Sequence, residues 1–406
     1  MRTVHDLLTA VLAAARPVAA LDVVLGDAGG CILAETLTAD HDVPPRDVAA
    51  YDGYALAEQD VAAPPTQLPG ELHVVGDVPP WTQEPGRLLP GTAVRVASGS
   101  PIPQGAVLVV PLSATDRGHA RVRVAPSTDL RRGGDGIRRA GGDVAAGEVV
   151  LRAGVRLQAR HLAVAAALGR GRLRVHPAPR VVVVTVGDEL TEPGRHGRAA
   201  GVRDAVGHAL AAAVEDVGAV AVRVGPVGDD RGALREVLAD QLVRADLLLV
   251  AGGLSAGPWD TVGDVLSLLG TVRLDQVAIA PGGRLAFGAV DDVPVIAVPG
   301  HPVSAQVAVE VFVRPALRAM AGHAEPFRPS VRAAVARTWA SPPGLRQFVP
   351  ATVEGSPTEG YTVTPVGDPS RPGLADLAHA DALVVVAEDT THVRAGDVLP
   401  CLVLEA

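Results

Sequence analysis

The 406-residue sequence contains no lysine, so all 36 of its strongly basic side chains are arginines. This absence excludes Schiff-base chemistry and catalysis by a lysine general base. Any phosphate or oxyanion must instead be held by arginine, by backbone N–H groups or by a metal. Aromatic residues make up only 2% of the chain. We therefore expect a core packed mainly with Ala, Val and Leu.

Cysteine is equally scarce. Cys31 and Cys401 lie near opposite ends of the chain and form neither a disulfide framework nor the spacing of a metal site. This usage is typical of a reducing, cytoplasmic compartment. The apolar run at residues 7–15 is similar to the core of a short signal peptide. Because Asp6 precedes it and helical spacing continues past Arg16, we interpret the run as an amphipathic helix.

Charge and hydropathy limit the partners. The formal net charge is −9 and the pI is about 5.7, which argues against a nucleic-acid or membrane-surface protein. No apolar run reaches the roughly 18–20 residues of a membrane span. At 48% hydrophobic and 20% charged residues, the composition is that of a folded globular chain long enough for several domains.

The pattern along the chain predicts an α/β plus β fold with four domains. Residues 1–26 and 150–178 form a helical and extended linking domain with a helix at 161–168, and residues 27–149 a β-rich insertion with strands at 93–96 and 107–110. Residues 179–326 alternate short apolar runs with helical patterns, which predicts a mainly parallel sheet covered on both faces. Residues 327–406 return to β and form a C-terminal domain. In the α/β domain the strands are expected at 181–186, 220–224, 247–250 and 295–298, and the helices at 204–217, 231–242, 262–269 and 303–317.

Three of these strands run into loops rich in glycine or proline, at residues 187–190, 251–257 and 299–305. The carboxyl ends of parallel strands share one edge of the sheet, where ligands bind. Glycine lets backbone N–H groups approach an anion, and a following helix adds its positive end. The pair Asp188-Glu189 beside such loops would bind Mg²⁺ that bridges to phosphate oxygens. The alternatives are a tight turn at Gly252-Gly253 and a helix cap at Asp188-Glu189.

Two further polar turns lie in the insertion. Asp52 precedes Gly53, and taken alone this pair favours an Asp-Gly hairpin turn. Ser98-Gly99 forms a polar turn with a hydroxyl that could serve as a ligand, and the alternative is an ordinary β-turn.

These motifs, in this order, resemble the molybdopterin molybdenumtransferase family, the type that includes the E domain of gephyrin. The family's M-D-G-Y-A box is similar to residues 51–55, its R-I-M-T-G-A-P-x-P stretch to residues 95–103, and its N-I-R-x-x-G-E-D-I segment to residues 136–144. Its S-T-G-D-E-L box is similar to residues 185–190, its S-G-G-V-S-V-G box to residues 251–257, and its P-G-N-P-V-S-A box to residues 299–305. Each motif alone is weak, but the six together cover essentially the whole chain.

The resemblance implies an elongated homodimer that inserts molybdate into adenylylated molybdopterin, with Mg²⁺-dependent release of AMP. It implies Asp188, Glu189 and Asp260 as metal ligands, with Asp52 and Ser98 supplied by the partner subunit. The catalytic set carried over comprises Asp52, Glu189, Asp260 and Arg284. The set that binds the pterin adenylate comprises Ser98, Gly99, Gly187, Asp188, Gly252, Gly253, Ser255, Gly257, Pro281, Gly300, Pro302 and Ser304. A molybdopterin adenylyltransferase and proteins that mature molybdoenzymes are the partners it implies.

The sequence departs from the family at several positions: the D-S-N opening of a helix reads Asp204-Ala205-Val206, Pro258 replaces an acid, and His301 replaces an asparagine. The family's K-P-G-K-P reads Ala-Pro-Gly-Gly-Arg at residues 280–284, so Ala280 and Gly283 replace two lysines expected near the molybdate, and Arg284 lies one position late. A second hypothesis is therefore a catalytically impaired paralogue that acts as a pterin-binding or scaffold protein. A third is another phosphate-ligand enzyme, such as a pterin adenylyltransferase, although that enzyme resembles the α/β domain alone.

Overall fold

The computed structural model describes residues 1–61, 70–125, 134–194, 201–255, 257 and 260–404. The first helix, α1 (Val4–Ala14), is capped by Thr3, whose side chain accepts a hydrogen bond from the Asp6 N–H. Val4 and Leu7 are buried in the core of the α/β domain. The amphipathic helix expected near residues 7–15 is thus confirmed. Within the described ranges, the helices are all too short or too polar to cross a bilayer.

Short strands dominate the part of the chain before residue 178, as the abundance of glycine and proline predicts. In chain order the elements after α1 are β1 (Leu21–Val24), β2 (Ile32–Leu33), β3 (Leu37–Thr38), β4 (Val48–Ala49), β5 (Gly53–Ala57), α2 (Glu58–Val61), β6 (Leu72–Val78), β7 (Thr92–Val96), β8 (Ala106–Pro111), β9 (Arg121–Val122), β10 (Ile137–Arg138), β11 (Val149–Leu151), α3 (Ala159–Ala167) and β12 (Arg172–His176).

These elements form two modules. In one, β12 pairs with β1 and β2, and β11 pairs with β3, over a core that includes Leu33, Leu157 and Leu173. In the other, a five-stranded sheet has the order β8-β5-β7-β6-β9, and β4 pairs with β10. Because the first core combines residues 28–39 with residues 157–175, those two segments fold together. The domain limits given above stay a prediction.

The α/β domain carries a six-stranded mixed sheet of order β16-β13-β17-β21-β20-β18. Its elements are β13 (Arg180–Val186), β14 (Leu190–Thr191), β15 (Val202–Arg203), α4 (Ala205–Asp216), β16 (Val220–Val227), α5 (Arg231–Leu242), β17 (Leu247–Ala251), α6 (Val262–Leu269), β18 (Arg273–Gln276), β19 (Ile279–Ala280), β20 (Arg284–Val290), β21 (Val293–Val298), α7 (Pro302–Ala308), a π-helical turn (Val309–Val313) and α8 (Arg314–Met320). The first four strands of the sheet are parallel, and β20 and β18 continue it in antiparallel fashion.

Alternate residues of β13 explain its uniformly apolar sequence. Val181 and Val183 belong to one hydrophobic core, and Val182 and Val184 belong to the core on the opposite face. Helices cover both faces, so every position from Val181 to Val186 is buried. The predicted parallel sheet is confirmed. The antiparallel strands β18 and β20 were not predicted, because β18 is largely exposed and lacks the continuous apolar run of a buried strand.

The C-terminal domain is a closed β-barrel. Its elements are β22 (Ser330–Val335), β23 (Trp339–Ala340), β24 (Arg346–Ser356), β25 (Gly360–Pro365), α9 (Leu374–Ala378), β26 (Ala382–Val386), β27 (His392–Val393) and β28 (Val398–Val403). Pairing runs β24-β25-β22-β28-β26 and returns from β26 to β24, which closes the ring. Strand β19 from the α/β domain adds in parallel to β24.

Candidate functional site

A cavity of about 680 Å³ lies at the carboxyl edge of the parallel strands, where the loops after β13, β17 and β21 meet. The sequence predicts that residues 187–190, 252–257 and 299–304 converge at one rim, and the structure brings residues of all three loops to this cavity. The described residues that line the cavity are Thr185, Val186, Gly187, Glu189, Leu190, Val202, Arg203, Asp204, Ala205, Val206, Asp229, Ala251, Gly252, Gly253, Leu254, Ser255, Gln276, Gly282, Arg284, Pro299, Gly300 and Pro302.

Glycine allows the three loops to meet so closely. A Cβ atom on Gly252 would lie 2.4 Å from the carbonyl oxygen of Val186, and one on Gly253 would lie 2.5 Å from a methyl group of Val262. Gly252 also has φ +100, which side chains rarely tolerate. A Cβ atom on Gly300 would lie 3.2 Å from Cα of Gly252. Side chains at Gly252 and Gly253 would therefore clash with the neighbouring backbone and with α6, so the loops could not keep this spacing.

The glycine N–H groups divide into two kinds. The Gly187 N–H donates to the Val227 carbonyl over 2.9 Å, and the Gly252 N–H donates to the Val298 carbonyl over 3.2 Å. These two amides hold the rim together. Among the described residues, the N–H groups of Gly253 and Gly300 have no acceptor. These two amides therefore remain for an anion.

Glu189 and Asp229 are the acidic residues nearest the ends of β13 and β16 that line the cavity. Gly187 makes room for Glu189, since a Cβ atom there would lie 2.6 Å from the carboxylate. Asp188 is held differently: its N–H donates to Asp229 (3.0 Å), and its side chain accepts from the Asp229 N–H (3.2 Å). Asp229 was not a candidate, although the pair Asp229-Asp230 follows β16 as Asp188-Glu189 follows β13.

The expected metal ligands Asp188, Glu189 and Asp260 are not gathered into one cluster. Within the described ranges, no three side chains of His, Cys, Asp or Glu lie close enough together to hold a metal ion. A magnesium ion bridged to phosphates needs only one or two carboxylates from the protein, because phosphate oxygens and water complete its shell. Glu189 and Asp229 are placed to supply them, and the metal role of the predicted set stays a prediction.

Arg284 lines the cavity at the start of β20. Its Nη2 atom lies 4.0 Å from Asp260 Oδ2, while its Nε atom and Asp260 Oδ1 are buried without hydrogen-bond partners in the described structure. Burial raises the pKa of the Asp260 carboxyl and outweighs the opposing attraction to Arg284. Arg284 on the cavity wall and Asp260, which does not line the cavity, are therefore both incompletely satisfied, which is unusual for buried polar atoms.

Asp204 was not a candidate but is the most deeply buried acid at the cavity, with 1% of its surface exposed. It caps α4 by accepting from the Gly207 N–H over 2.8 Å, and its other oxygen accepts from the Thr185 hydroxyl over 2.8 Å. Arg223 lies 4.0 Å away and pairs with Glu192. The helix start beside the cavity is thereby fixed. The signal in the sequence was an Asp directly before a helical pattern.

Asp52 and Ser98 lie together in the insertion and do not line the cavity of their own chain. The Ser98 N–H donates to Asp52 Oδ1 over 2.7 Å, and the Ser98 hydroxyl donates to the Ala50 carbonyl over 3.3 Å. The Asp-Gly hairpin alternative is wrong: Gly53 begins β5, and a Cβ atom there would lie 2.1 Å from the Val110 carbonyl oxygen. Ser98 and Gly99 do form a tight turn, with Gly99 at φ +80.

Three further candidates, Ser304, Gly257 and Pro281, do not line the main cavity. Ser304 is buried on α7 beside Gly282, whose missing Cβ would lie 3.3 Å from it. Gly257 donates its N–H to the Ser255 hydroxyl over 3.4 Å. Ala256, between them, lies outside the described residues. Pro281 lines a second cavity of about 290 Å³ between the segment that carries β19 and the C-terminal barrel.

Three family models match the chain along most of its length. The "MoeA N-terminal region (domain I and II)" matches residues 2–169. The "Probable molybdopterin binding domain" matches residues 182–319, and the "MoeA C-terminal region (domain IV)" matches residues 332–404.

Several proteins are similar over their whole length. Molybdopterin molybdenumtransferase 2 of Mycobacterium tuberculosis is 36% identical over 402 residues, which is 98% of both chains. Molybdopterin molybdenumtransferase of Bacillus subtilis is 27% identical over 94% of this chain and 89% of its own. The fold is similar to that of the molybdopterin biosynthesis MoeA protein from Pyrococcus horikosii, with a TM-score of 0.85, 24% identity, and coverage of 100% of this chain and 99% of the other.

Proposed function

The chain belongs to the molybdopterin molybdenumtransferase family, and from that premise we propose that it inserts molybdate into adenylylated molybdopterin and releases AMP in a Mg²⁺-dependent step. The family places the protein among the enzymes of molybdenum cofactor biosynthesis. The observation that carries the proposal for this chain is the glycine-lined cavity at the edge of the parallel strands, with acidic groups and Arg284 on its walls.

The cavity fits a phosphate-bearing ligand. The free N–H groups of Gly253 and Gly300 can each donate to a phosphate oxygen, and the loops around them approach closely because they lack Cβ atoms. Pro302 begins α7 directly behind Gly300, so the positive end of that helix faces the same rim. We assign these groups to the pterin adenylate.

The acids fit a magnesium ion. Glu189 and Asp229 would hold it, with phosphate oxygens completing the coordination. When bound, Mg²⁺ neutralises charge on the phosphate groups during release of AMP. The Asp188 carboxylate orients Asp229 by accepting its N–H. Asp188 is thus a positioning residue in this scheme, and Glu189 and Asp229 are the residues that would hold the metal.

Arg284 is the cation that binds molybdate in this proposal. It stands in the segment at residues 280–284 where the family has two lysines, and its side chain faces the main cavity. The second cavity lies against Ala280 and Pro281 of the same segment, and Ser341 on its wall has a buried hydroxyl without a partner in the described structure. A planar guanidinium donates two parallel hydrogen bonds to an oxyanion.

We further propose that the active enzyme is a homodimer in which Asp52 and Ser98 of the partner subunit complete the site. What supports this is that Asp52 and Ser98 are exposed and lie in the insertion, while the cavity of their own chain is lined from the α/β domain. The two free cysteines fit a cytoplasmic setting, where a molybdopterin adenylyltransferase would supply the substrate and maturation proteins would receive the product.

The test is an assay of AMP release from adenylylated molybdopterin, with and without Mg²⁺ and molybdate. AMP release that requires both Mg²⁺ and molybdate would support the proposal. Binding of the pterin adenylate without AMP release would favour the second candidate function, a pterin-binding or scaffold paralogue. The observation that favours this second candidate is that Ala280 and Gly283 lie where the family has lysines.

The dimer is tested by mixing two inactive variants, Asp52→Asn and Glu189→Gln. In a shared site, random re-association gives half heterodimers with one intact site each, so roughly a quarter of wild-type activity returns. An equal mixture that stays as inactive as its components would contradict a shared site. Asp77→Asn, in the same insertion sheet but paired with Arg95, is the matched control and should not need complementation.

A further inference from the structure

A second group of charged side chains lies outside the cavity, around the end of α8. Arg314 and Arg318 stand one turn apart on that helix, and Arg328 lies just before β22. Arg156, in the loop between β11 and α3, approaches Arg318 closely enough for the two charges to interact. We call Arg156, Arg314, Arg318 and Arg328 the arginine cluster. Its members come from three parts of the structure, namely the linking module, α8 of the α/β domain and the segment before β22.

The cluster lies where these parts join. The Ala324 N–H donates to the Gly154 carbonyl over 3.3 Å, which ties the segment after α8 to the linking module. Arg318 Nε donates to the Glu325 carbonyl over 3.0 Å. The Arg328 guanidinium donates to the Leu404 carbonyl at the end of the barrel. The linking module, the α/β domain and the barrel all contribute to one junction.

Positive charge exceeds negative charge here. Glu310 accepts two hydrogen bonds from Arg328, at 2.6 and 3.0 Å, and this pair is largely shielded from solvent. Asp216 is the other carboxylate near Arg314. Four arginines therefore face two described carboxylates, which leaves a net charge of +2, the difference of the two counts.

Arg314 has the least support of the four. Its Nε atom is buried without a hydrogen-bond partner, and its side chain makes no ion pair with any described residue. Burial and the neighbouring positive charges lower the pKa of both Arg314 and Arg318. Burial, followed by the same arginines, also lowers the pKa of the adjacent His323 to about 4. A partly buried group of like charges is costly unless an anion compensates it.

We propose that the arginine cluster binds a tetrahedral dianion of the phosphate class at the junction of the three parts of the chain. A dianion matches the net charge, and guanidinium groups from α8 and its neighbours donate to its oxygens in the planar geometry that arginine favours. His323 is neutral at pH 7 and can donate one ring N–H. The site is separate from the cavity. An anion bound there would therefore hold the domains together and would not serve as a substrate.

The probe is inorganic phosphate, with sulfate as a second tetrahedral dianion and chloride as the background anion at constant ionic strength. Calorimetry should find saturable binding, and phosphate should raise the thermal unfolding midpoint by mass action. Arg314→Gln and Arg318→Gln should each weaken phosphate binding at least tenfold, about 1.4 kcal/mol. Arg156→Gln, on an exposed loop, is the variant least prone to misfold and should weaken it in the same direction.

Two controls assign the binding. Arg235→Gln removes an exposed arginine of α5 away from the cluster and should leave phosphate affinity unchanged. Arg284→Gln should also retain it. If binding is lost in Arg284→Gln but kept in Arg314→Gln, the anion sits in the cavity and the proposal fails. It fails too if phosphate binds only after Glu405→Gln, because the cluster then serves the chain's own carboxylate, next in sequence to Leu404.

Discussion

Arg284, on the cavity wall, lies 4.0 Å from Asp260, close enough for the two charges to attract and too far apart for a hydrogen bond. Each also has a buried polar atom without a partner in the described structure. A charged ligand that contacts either residue can therefore replace their mutual attraction with a direct interaction.

Arg284→Gln should lower kcat/KM for molybdate on the order of 10- to 100-fold, since one charge-assisted contact to an oxyanion contributes about 1.5–3 kcal/mol. Arg284→Lys should restore part of the loss, because charge returns without the planar donor pair. The measurement is AMP release as molybdate is varied. Arg273→Gln, an exposed arginine on the neighbouring strand β18, is the control. Unchanged kinetics in Arg284→Gln would remove this residue from the site.

Asp260→Asn should stabilise the protein at neutral pH. Burial raises the pKa of Asp260 in the folded state, so this carboxyl favours folding below its ordinary pKa and loses that contribution as the pH rises through the folded-state value. At pH 7 the ionised group is therefore a cost, which asparagine removes. Urea unfolding should show a gain at pH 7 that shrinks as the pH falls towards the ordinary aspartate value. A gain in unfolding free energy that increases at acidic pH would contradict this prediction.

Gly252→Ala should destabilise the fold and close the rim. Its φ of +100 and the 2.4 Å approach of a Cβ atom to the Val186 oxygen leave no room for a methyl group. We expect a loss on the order of 2 kcal/mol in unfolding free energy, together with loss of pterin binding. Gly26→Ala is the matched control, because a Cβ atom there meets nothing within 4 Å. Equal effects of the two changes would argue against a cradle built on glycine.

Asp204→Ala and Asp230→Ala both remove the cap of a helix, at α4 and α5 respectively. Each should cost about 1 kcal/mol of stability from the cap. Asp204→Ala should lower the stability further, because it also leaves the Thr185 hydroxyl without its acceptor. It should also reduce activity, because Asp204 lines the cavity. Denaturant unfolding and the AMP assay separate the two effects. If Asp230→Ala reduces kcat as strongly, the loss reflects stability alone.

The two thiols should react very differently. Cys401 has no exposed surface, and burial raises its pKa to about 11, whereas Cys31 is half-buried in the linking module. Maleimide should label one thiol per native chain and two after denaturation, as read by intact mass, because the thiolate is the reactive form. Cys31→Ser should abolish native labelling. Labelling of Cys401 in the native protein would show that the barrel opens.

Much of this arrangement could be predicted from the sequence, because the signals were local and periodic. The apolar runs of β13, β17 and β21 predicted parallel strands, and the shared edge of such strands predicted that Gly187, Gly252 and Gly300 would meet. Strand β18 was missed because most of its surface faces solvent. Asp229 was missed because its role depends on a reciprocal hydrogen-bond pair with Asp188, which only the folded chain brings together.

The charges were harder to predict than the backbone. Whether Arg284 faces the cavity or solvent depends on how β20 adds to the sheet, a long-range pairing with β21 that spacing alone does not fix. Gly187 and Gly252 were expected to offer their N–H groups to a ligand, yet both donate to neighbouring carbonyls. Such hydrogen bonds between loops are set by tertiary structure, which motifs do not encode.

Strand β19 occupies Ile279–Ala280 and completes its ladder on β24, inside the barrel's own hydrogen-bond network. The wall that carries Arg284 is therefore anchored by a domain none of whose described residues lines the main cavity. A shortened protein that ends after α8 would keep the glycine loops but lose the strand that anchors this wall. We therefore expect such a fragment to bind pterin, whereas only a chain that includes the barrel should process it.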